Sequence, residues 1–482
     1  MSKKFYLTTA IPYVNAAPHI GFALELVQTD ALARFARQQG KEVFFLTGAD
    51  ENSLKNVQAA EKEGLPVKDL VDRNTQKFID LTKTLNISND DFIRTVSAKH
   101  FAGAQKLWSA CKKEDIYKKQ YQGLYCVGCE QFYTEKELIN GVCPEHKTPC
   151  EKIEEENYFF KLSNYQDKLE KLVESDKYQI VPATRKNEVL SFIRMGLQDF
   201  SISRSQQRAK NWGVPVPGDE TQVMYVWFDA LSNYITALDY DADGKQFKKF
   251  WPAEAHVVGK GIIRFHAVYW PAMLMSAGLP LPKKLFVHGY INIAGEKMSK
   301  SLGNVVDPFA LVEKYGVEPV RYYLLRHIHP FSDSDFSTEQ FEQAYNADLC
   351  NGLGNLVSRV AGLIEQNGIR IKPDKQDKRD KGLEIFISGF QFDQALKFIW
   401  EKISALDGLI AETKPWALAK EGKANEVAEI LIKAASGILE ITELLSPFLP
   451  ETAEKIKAIF TAEEIKKGEP LFPRLDKAKS AK

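Results

Sequence analysis

The sequence has no excess of charge of either sign. Lys+Arg and Asp+Glu both number 64, so the formal net charge is zero. That removes the argument from overall charge for a polyanionic partner, though not the partner itself, because one basic face rather than the total steers a nucleic acid. Long apolar runs are missing, and the opening MSKKFYLTTAIPYV turns polar without an apolar signal core. Neither a membrane span nor a secretory signal is therefore expected, and the expected setting is cytoplasmic. A GxxxxGK[ST] loop is absent, as is a GxGxxG after a strand, which excludes the Walker and dinucleotide devices for holding a nucleotide. No long-period repeat or low-complexity tract occurs. Cysteine is scarce, with six in all, but four fall between Cys126 and Cys150. Clustering of that kind, without a secretory signal, suggests a metal site more than a disulfide framework.

What is present reads as a multi-domain enzyme. A chain of 482 residues with 44% apolar and 27% charged residues can bury a sizeable core. FYLTTAIPYV is strand-like, FALELVQTDALARFARQQG is helical with a glycine stop at Gly40, and EVFFLTGAD reads as a buried strand ending in a loop. In the helical stretch Leu24, Val27, Ala31 and Phe35 form an amphipathic stripe. Strand, helix, strand in that order predicts a βαβ unit and a doubly wound α/β sheet of the Rossmann type. The alternation breaks from about Ile116 to about Pro217, an insertion that holds the cysteine cluster, and resumes with TQVMYVWFDAL, AHVVGKGII and PKKLFVHGYINI. After about Asp335 the sequence is nearly all helix-forming.

Three stretches carry chemistry. In NAAPHIGFALELV, His19 stands before a helix start, where unpaired N–H groups and the helix dipole favour phosphate, and Gly21 leaves room for a flat ring. A surface histidine capping the helix is the plainer reading of that stretch alone. GEKMSKSLGN sets Lys297 and Lys300 among hydroxyls between two glycines, a loop able to meet charge growing on a triphosphate, although a solvated basic loop is common. Cys126 and Cys129 form a CxxC, and Cys143 and His146 a CxxH. This is the paired-knuckle spacing of a closed, structural zinc site, with Cys150 as second choice to His146. The aromatic set Tyr13, Trp227, Tyr234 and Phe265, with His266, is by periodicity alone as compatible with plain core.

Together these motifs resemble a known family. His19-Ile20-Gly21 and Lys297-Met298-Ser299-Lys300-Ser301 are similar to the two signatures of class I aminoacyl-tRNA synthetases. YVWFDALSNYITAL, GKGIIRFHAVYWPAMLMSAGLPLP, HGYINIAGEKMSKSLGNVVDP, DFSISRS and WGVPVPGD resemble the methionyl-tRNA synthetases among them, from about Phe5 to beyond Trp416. The resemblance implies a Rossmann-type catalytic domain in two halves, 1–115 and 218–290, split by a zinc-bearing connective insertion at 116–217. It also implies a stem-contact region with the KMSKS loop at 291–345, an all-α anticodon-binding domain at 346–474 and a flexible tail at 475–482. The implied activity is methionine–tRNA ligase, in which ATP and L-methionine give methionyl-adenylate and the methionyl group passes to the 3′ end of tRNA(Met) with a CAU anticodon.

By the same resemblance His19, Lys297 and Lys300 are catalytic, and His19, Gly21, Phe22, Lys297, Met298, Ser299 and Lys300 bind ATP. Asp50 receives the methionine ammonium, and Ile11, Tyr13, Trp227, Ala230, Leu231, Tyr234, Ile262, Phe265 and His266 line the methionine pocket. A thioether packs well on aromatic rings, and a tyrosine hydroxyl can address its sulfur. One methylene discriminates by only about 1–3 kcal/mol, so homocysteine is an expected competitor. Asn355, Arg359 and Trp416 are the implied anticodon readers. Zn²⁺ is the expected structural metal, Mg²⁺ follows from the reaction class, and a monomer is expected since no appended dimerisation fold follows the helical region. Three stretches depart from the family pattern: Phe22 replaces a second histidine, Asp50-Glu51-Asn52-Ser53 replaces DEHG, and Lys260-Gly261-Ile262 lacks a carboxylate. They admit a second reading, a catalytically silent protein that binds tRNA or methionine.

Overall fold

Short β-branched and aromatic stretches pair into one parallel sheet in the computed structural model, which describes residues 3–133, 135–144, 147–293, 295–297, 305–371 and 380–475. Its strands are β1 (Lys4–Thr9), β2 (Glu42–Ala49), β3 (Asp91–Arg94), β4 (Gln179–Val181), β5 (Ala255–Gly259) and β6 (Lys284–His288). They lie in the order β3-β2-β1-β5-β6-β4, every neighbouring pair parallel. The chain winds outward from β1 in one direction and then in the other, so β1 and β5 flank the point where strand order reverses. In open α/β sheets ligands sit beyond the carboxyl ends of the strands at that point. The expected doubly wound sheet is thus observed.

The helix that follows β1, α1 (Ile20–Gln38), carries the predicted stripe: Leu24, Val27, Ala31 and Phe35 are all buried. Gly40 takes φ +74° just past its end, a left-handed conformation that glycine adopts without Cβ strain. Gly48 near the end of β2 is needed for another reason. A Cβ there would lie 2.4 Å from the carbonyl oxygen of Ile93 and 3.1 Å from Ile11.

Between β3 and β5 the chain builds an antiparallel sheet of Ile116–Cys126, Gln131–Tyr133, Glu151–Phe160 and Phe200–Ser201, and a smaller one of Ser203–Ser205, Pro215–Val216 and Asp219–Met224. One element of the 116–217 stretch joins the parallel sheet itself. β4, within the 116–217 stretch, pairs with β6 as the edge of the parallel sheet. Three residues in a charged context carry no periodicity, so only the pairing reveals it.

The chain divides into two compact units. The first comprises Met1–Thr29, Glu42–Lys83 and Ile87–His288; the second comprises Asp30–Lys41, Thr84–Asn86 and Gly289–Lys482. The second unit holds a small sheet of Ile291–Ile293, Glu296–Lys297 and Ser334–Asp335, and long helices that include Asn355–Gln366, Phe392–Thr413, Ala424–Leu445 and Pro450–Phe460. Within it the fully buried Arg321 pairs with Asp30 at 2.7 Å and donates to the carbonyls of Leu85 and Phe448. No helix among the described residues is long and apolar enough to cross a membrane.

Candidate active site

The site forms where the switch-point strands end. After β1 the chain runs through Ile11 and Pro12 to Tyr13, which bridges to Asp50 just past β2, the Asp50 N–H donating to the Pro12 carbonyl at 2.9 Å. The buried helix α3 (Val226–Thr236) supplies Trp227, Ala230, Leu231 and Tyr234; α2 (Leu54–Glu63) lies earlier in the chain, soon after Asp50. Beyond β5, Ile262 and a π-helical turn at Phe265–Tyr269 bring in Phe265 and His266 ahead of α4 (Trp270–Ser276). Pro271 at the start of α4 has no N–H for the Ala267 carbonyl, and its ring would crowd that carbonyl in a regular helix. The wider turn relieves both.

Trp227 and Phe265 stack at 3.8 Å between ring centroids and 7° between planes, with Tyr13 edge-on to Trp227 at 6.4 Å. His266 donates from Nδ1 to the Ile262 carbonyl at 3.0 Å, which leaves Nε2 to accept the Tyr234 hydroxyl at 2.7 Å. Burial pushes the His266 pKa down to about 4, so the ring is a neutral acceptor, and burial also lowers that of His256, which packs against Tyr234. Two donors in this cluster are buried yet have no hydrogen-bond partner among the described residues: the Tyr13 hydroxyl and Trp227 Nε1. Buried donors without partners are rare in folded proteins and mark a place where a ligand atom is expected.

Asp50 is 2% exposed. Burial raises its pKa well above the ordinary value, and the charges of Asp229 and Glu130 add to this, opposed by the Asn52 N–H. The other carboxylates nearby have partners of their own. Asp229 takes His100 Nε2 at 2.5 Å and Asn52 Nδ2 at 2.8 Å. Burial opposes ionisation of Glu130, but Arg204, Tyr125 and Ser53 outweigh it and hold its carboxyl below the usual range. Asn52, one of the departures noted above, is thereby absorbed into a buried network, since it also donates to the Thr95 carbonyl at 3.0 Å.

His19 stands exposed at the start of α1, and its Nδ1 accepts the Gly21 N–H at 3.0 Å, so this histidine caps the helix. Phe22 is turned inward, its ring 5.5 Å from that of Phe78 and only 8% exposed. An apolar ring at this position gains more from the core than from the exposed helix mouth. Lys297 ends a strand in the second unit; Met298, Ser299 and Lys300 lie outside the described residues, as does His146.

The cysteine cluster is formed. Sulfurs of Cys126, Cys129 and Cys143 all lie within 4.8 Å of one another, and Cys129 and Cys143 are 3.4 Å apart. Tetrahedral thiolates at about 2.3 Å from a zinc ion sit at comparable mutual distances. Cys126 and Cys143 are buried, and Cys150 packs against the same group. The donor set fits a soft divalent ion. In the second unit Asn355 is exposed, Arg359 pairs with Asp407 at 2.6 Å, and Trp416 presents an indole 40% exposed.

The family model described as tRNA synthetases class I (M) matches residues 5–153 and 146–361. A methionine–tRNA ligase of Brucella melitensis is 46% identical over 95% of this chain and 92% of its own. One of Caldanaerobacter subterraneus is 44% identical over 99% of this chain and 80% of its own. This chain belongs to the class I methionyl-tRNA synthetase family. The methionyl-tRNA synthetase of Mycobacterium tuberculosis, solved in complex with methionyl-adenylate, superposes with a TM-score of 0.89 at 41% identity, covering 95% of this chain and 94% of that one.

Within this synthetase framework sequence reasoning missed Lys55, Glu130, Arg204 and Asp229. Two left a signal. Asp229 is a lone charge in the apolar VWFDALSNYI, and Glu130 follows the CxxC directly, where it takes φ +54°. A non-glycine residue in that region is a flag for function or strain.

Proposed function

We propose that the chain activates L-methionine with ATP and passes the methionyl group to tRNA(Met), with the switch-point cluster as its methionine site. The observation that carries this is the meeting of an under-compensated Asp50 with the unpartnered donors of Tyr13 and Trp227 over a stacked aromatic floor. The methionine ammonium sits against Asp50, and the thioether lies among Ile11, Tyr13, Trp227, Ala230, Leu231, Tyr234, Ile262, Phe265 and His266, where the Tyr13 hydroxyl addresses sulfur. Neutral His266, held by Ile262, fixes Tyr234 without bringing charge into the apolar pocket.

The methionine carboxylate oxygen attacks the α-phosphorus of ATP; that O–P bond forms as the bond to pyrophosphate breaks, and pyrophosphate leaves with the electron pair. His19 and the helix start at Gly21 hold phosphate, and Phe22 sets the helix mouth from beneath. Lys297 and Lys300, with Met298 and Ser299 between them, meet the charge of the leaving pyrophosphate, so catalysis is positioning and electrostatics. Mg²⁺, when bound with ATP, would supply charge neutralisation on the phosphates. The terminal ribose hydroxyl of tRNA then attacks the methionyl carbonyl, AMP departs, and the hydroxyl proton leaves with it. Cys126, Cys129, Cys143 and His146 would hold a structural Zn²⁺ that braces the insertion. We take the enzyme to act as a cytoplasmic monomer, with 116–217 as connective insertion, 291–345 as stem-contact region and 346–474 as anticodon domain.

Asn355, Arg359 and Trp416 read the CAU anticodon, Trp416 by stacking. Stacking of a base on an aromatic ring is worth about 1–3 kcal/mol. Trp416→Ala should accordingly lower kcat/KM for tRNA(Met) charging by roughly fivefold to a hundredfold while leaving methionine-dependent pyrophosphate exchange unchanged. Charging that is unaffected, or that falls only in step with exchange, removes Trp416 from tRNA recognition.

A further inference from the structure

Lys55 is placed against its local interests. It occupies the first turn of α2, where the helix dipole disfavours a cation and which holds no acidic residue. Its ammonium is half-buried and lies 4.6 Å from the centroid of the Tyr13 ring, inside the cluster that contains Asp50. Burial lowers its pKa, partly offset by Glu130 and, more weakly, by Cys129, Cys126 and Asp50. Yet none of its ammonium hydrogens has a hydrogen-bond acceptor among the described residues: only its backbone N–H is engaged, by Ser53 Oγ at 3.0 Å and Glu130 Oε1 at 3.3 Å. These contacts fix where the residue enters α2. A sequence that breaks a local rule at a ligand cluster without a structural gain is spending stability on function.

The reaction has a need that Asp50 cannot meet. Methionine binds as a zwitterion, and its carboxylate must approach the α-phosphate, which is also an anion. Asp50 engages the ammonium end, leaving the carboxylate without a counter-charge from the pocket's other residues, which are aromatic, apolar or neutral. From the position of Lys55 over the Tyr13 ring, beside the residue that takes the ammonium, we infer that its ammonium binds the methionine carboxylate and screens it from the α-phosphate as the oxygen–phosphorus bond forms. This rests on the methionine reading of the site. Lys55 is then a substrate-binding residue, with Tyr13 beneath it as a cation–π platform that keeps it charged and oriented.

The test compares two ligands by calorimetry on the full chain without ATP: L-methionine, and methioninol, which keeps the ammonium and the thioether but has no carboxylate. Lys55→Gln should weaken methionine binding roughly tenfold or more, as expected for loss of a charge-assisted hydrogen bond, while methioninol changes by less than about twofold. Lys55→Arg should retain most of the methionine affinity. Unchanged methioninol binding also reports that the pocket is intact. Equal weakening of both ligands would make Lys55 structural and overturn the inference, as would unchanged methionine affinity, including the case in which only the KM for ATP rises. If the parent chain itself binds no methionine, the functional reading fails and this one with it; if the parent binds and Lys55→Gln binds equally well, only this inference fails.

Discussion

Asp50→Asn is expected to lower kcat/KM for methionine in the exchange reaction by roughly 10²- to 10³-fold while raising the thermal midpoint. Both effects come from one carboxylate. Leaving a buried charge unpaired costs about 3–5 kcal/mol, so a methionine ammonium drawn into this pocket without its anion should bind weakly, and the loss should appear mainly in KM. The stability change has the opposite sign. The Asp50 pKa is raised in the folded chain, chiefly by burial, so the folded state holds that proton more tightly than the unfolded chain does. Stability is then greatest below the ordinary carboxylate pKa and falls as pH rises toward the folded value. Asparagine keeps the shape and the Asn52 N–H acceptor without that cost. A variant with unchanged KM, or one that is destabilised at neutral pH, would contradict the role given to Asp50.

The second large effect concerns Glu130, the carboxylate that must not compete for the ammonium. It is fully buried; its Oε1 accepts from Ser53 at 2.9 Å, and Arg204 reaches its Oε2 at 3.0 Å. The Tyr125 hydroxyl also bonds Oε2, and the Tyr225 hydroxyl bonds the Glu130 carbonyl. Arg204→Met should destabilise the protein by about 3–5 kcal/mol at neutral pH, because the partner is left charged in the interior. The thermal midpoint should fall by roughly 5 °C. In the parent chain the Glu130 pKa is lowered, so its contribution to stability is present above the ordinary carboxylate value and lost as pH falls through the folded value. In the variant the folded pKa is raised instead, and protonation relieves the burial cost. The gap between parent and variant should therefore narrow as pH falls toward 5. Glu130→Gln combined with Arg204→Met should be more stable than Arg204→Met alone, and a double variant no better than the single one would show that the pair is not coupled.

These two carboxylates mark how far the sequence could be read. α1, β1, β2 and the switch-point sheet were legible because their periodicities and the Gly40 stop are local. The CxxC spacing was legible for the same reason: metal ligands come in close pairs along the chain. Asp50 was placed by resemblance, and the physical basis for its role, a buried carboxyl without a dedicated cation, emerges only when β1 and β2 are brought side by side. β4 was hidden because three residues of an edge strand carry too little pattern, and Lys55 because its meaning depends on the Tyr13 ring beneath it. Phe22 is a different case. The substitution was visible, but the packing of its ring against Phe78, far along the chain, was not. Long-range partners decide such residues, and a single sequence does not state them.

The most direct measurement is ATP–pyrophosphate exchange by the purified chain with a panel of amino acids. Exchange that depends on methionine, with homocysteine as a weaker competitor, is the expected result and establishes adenylate formation at this site. Methionine bound without exchange, or exchange driven by another amino acid, would contradict it.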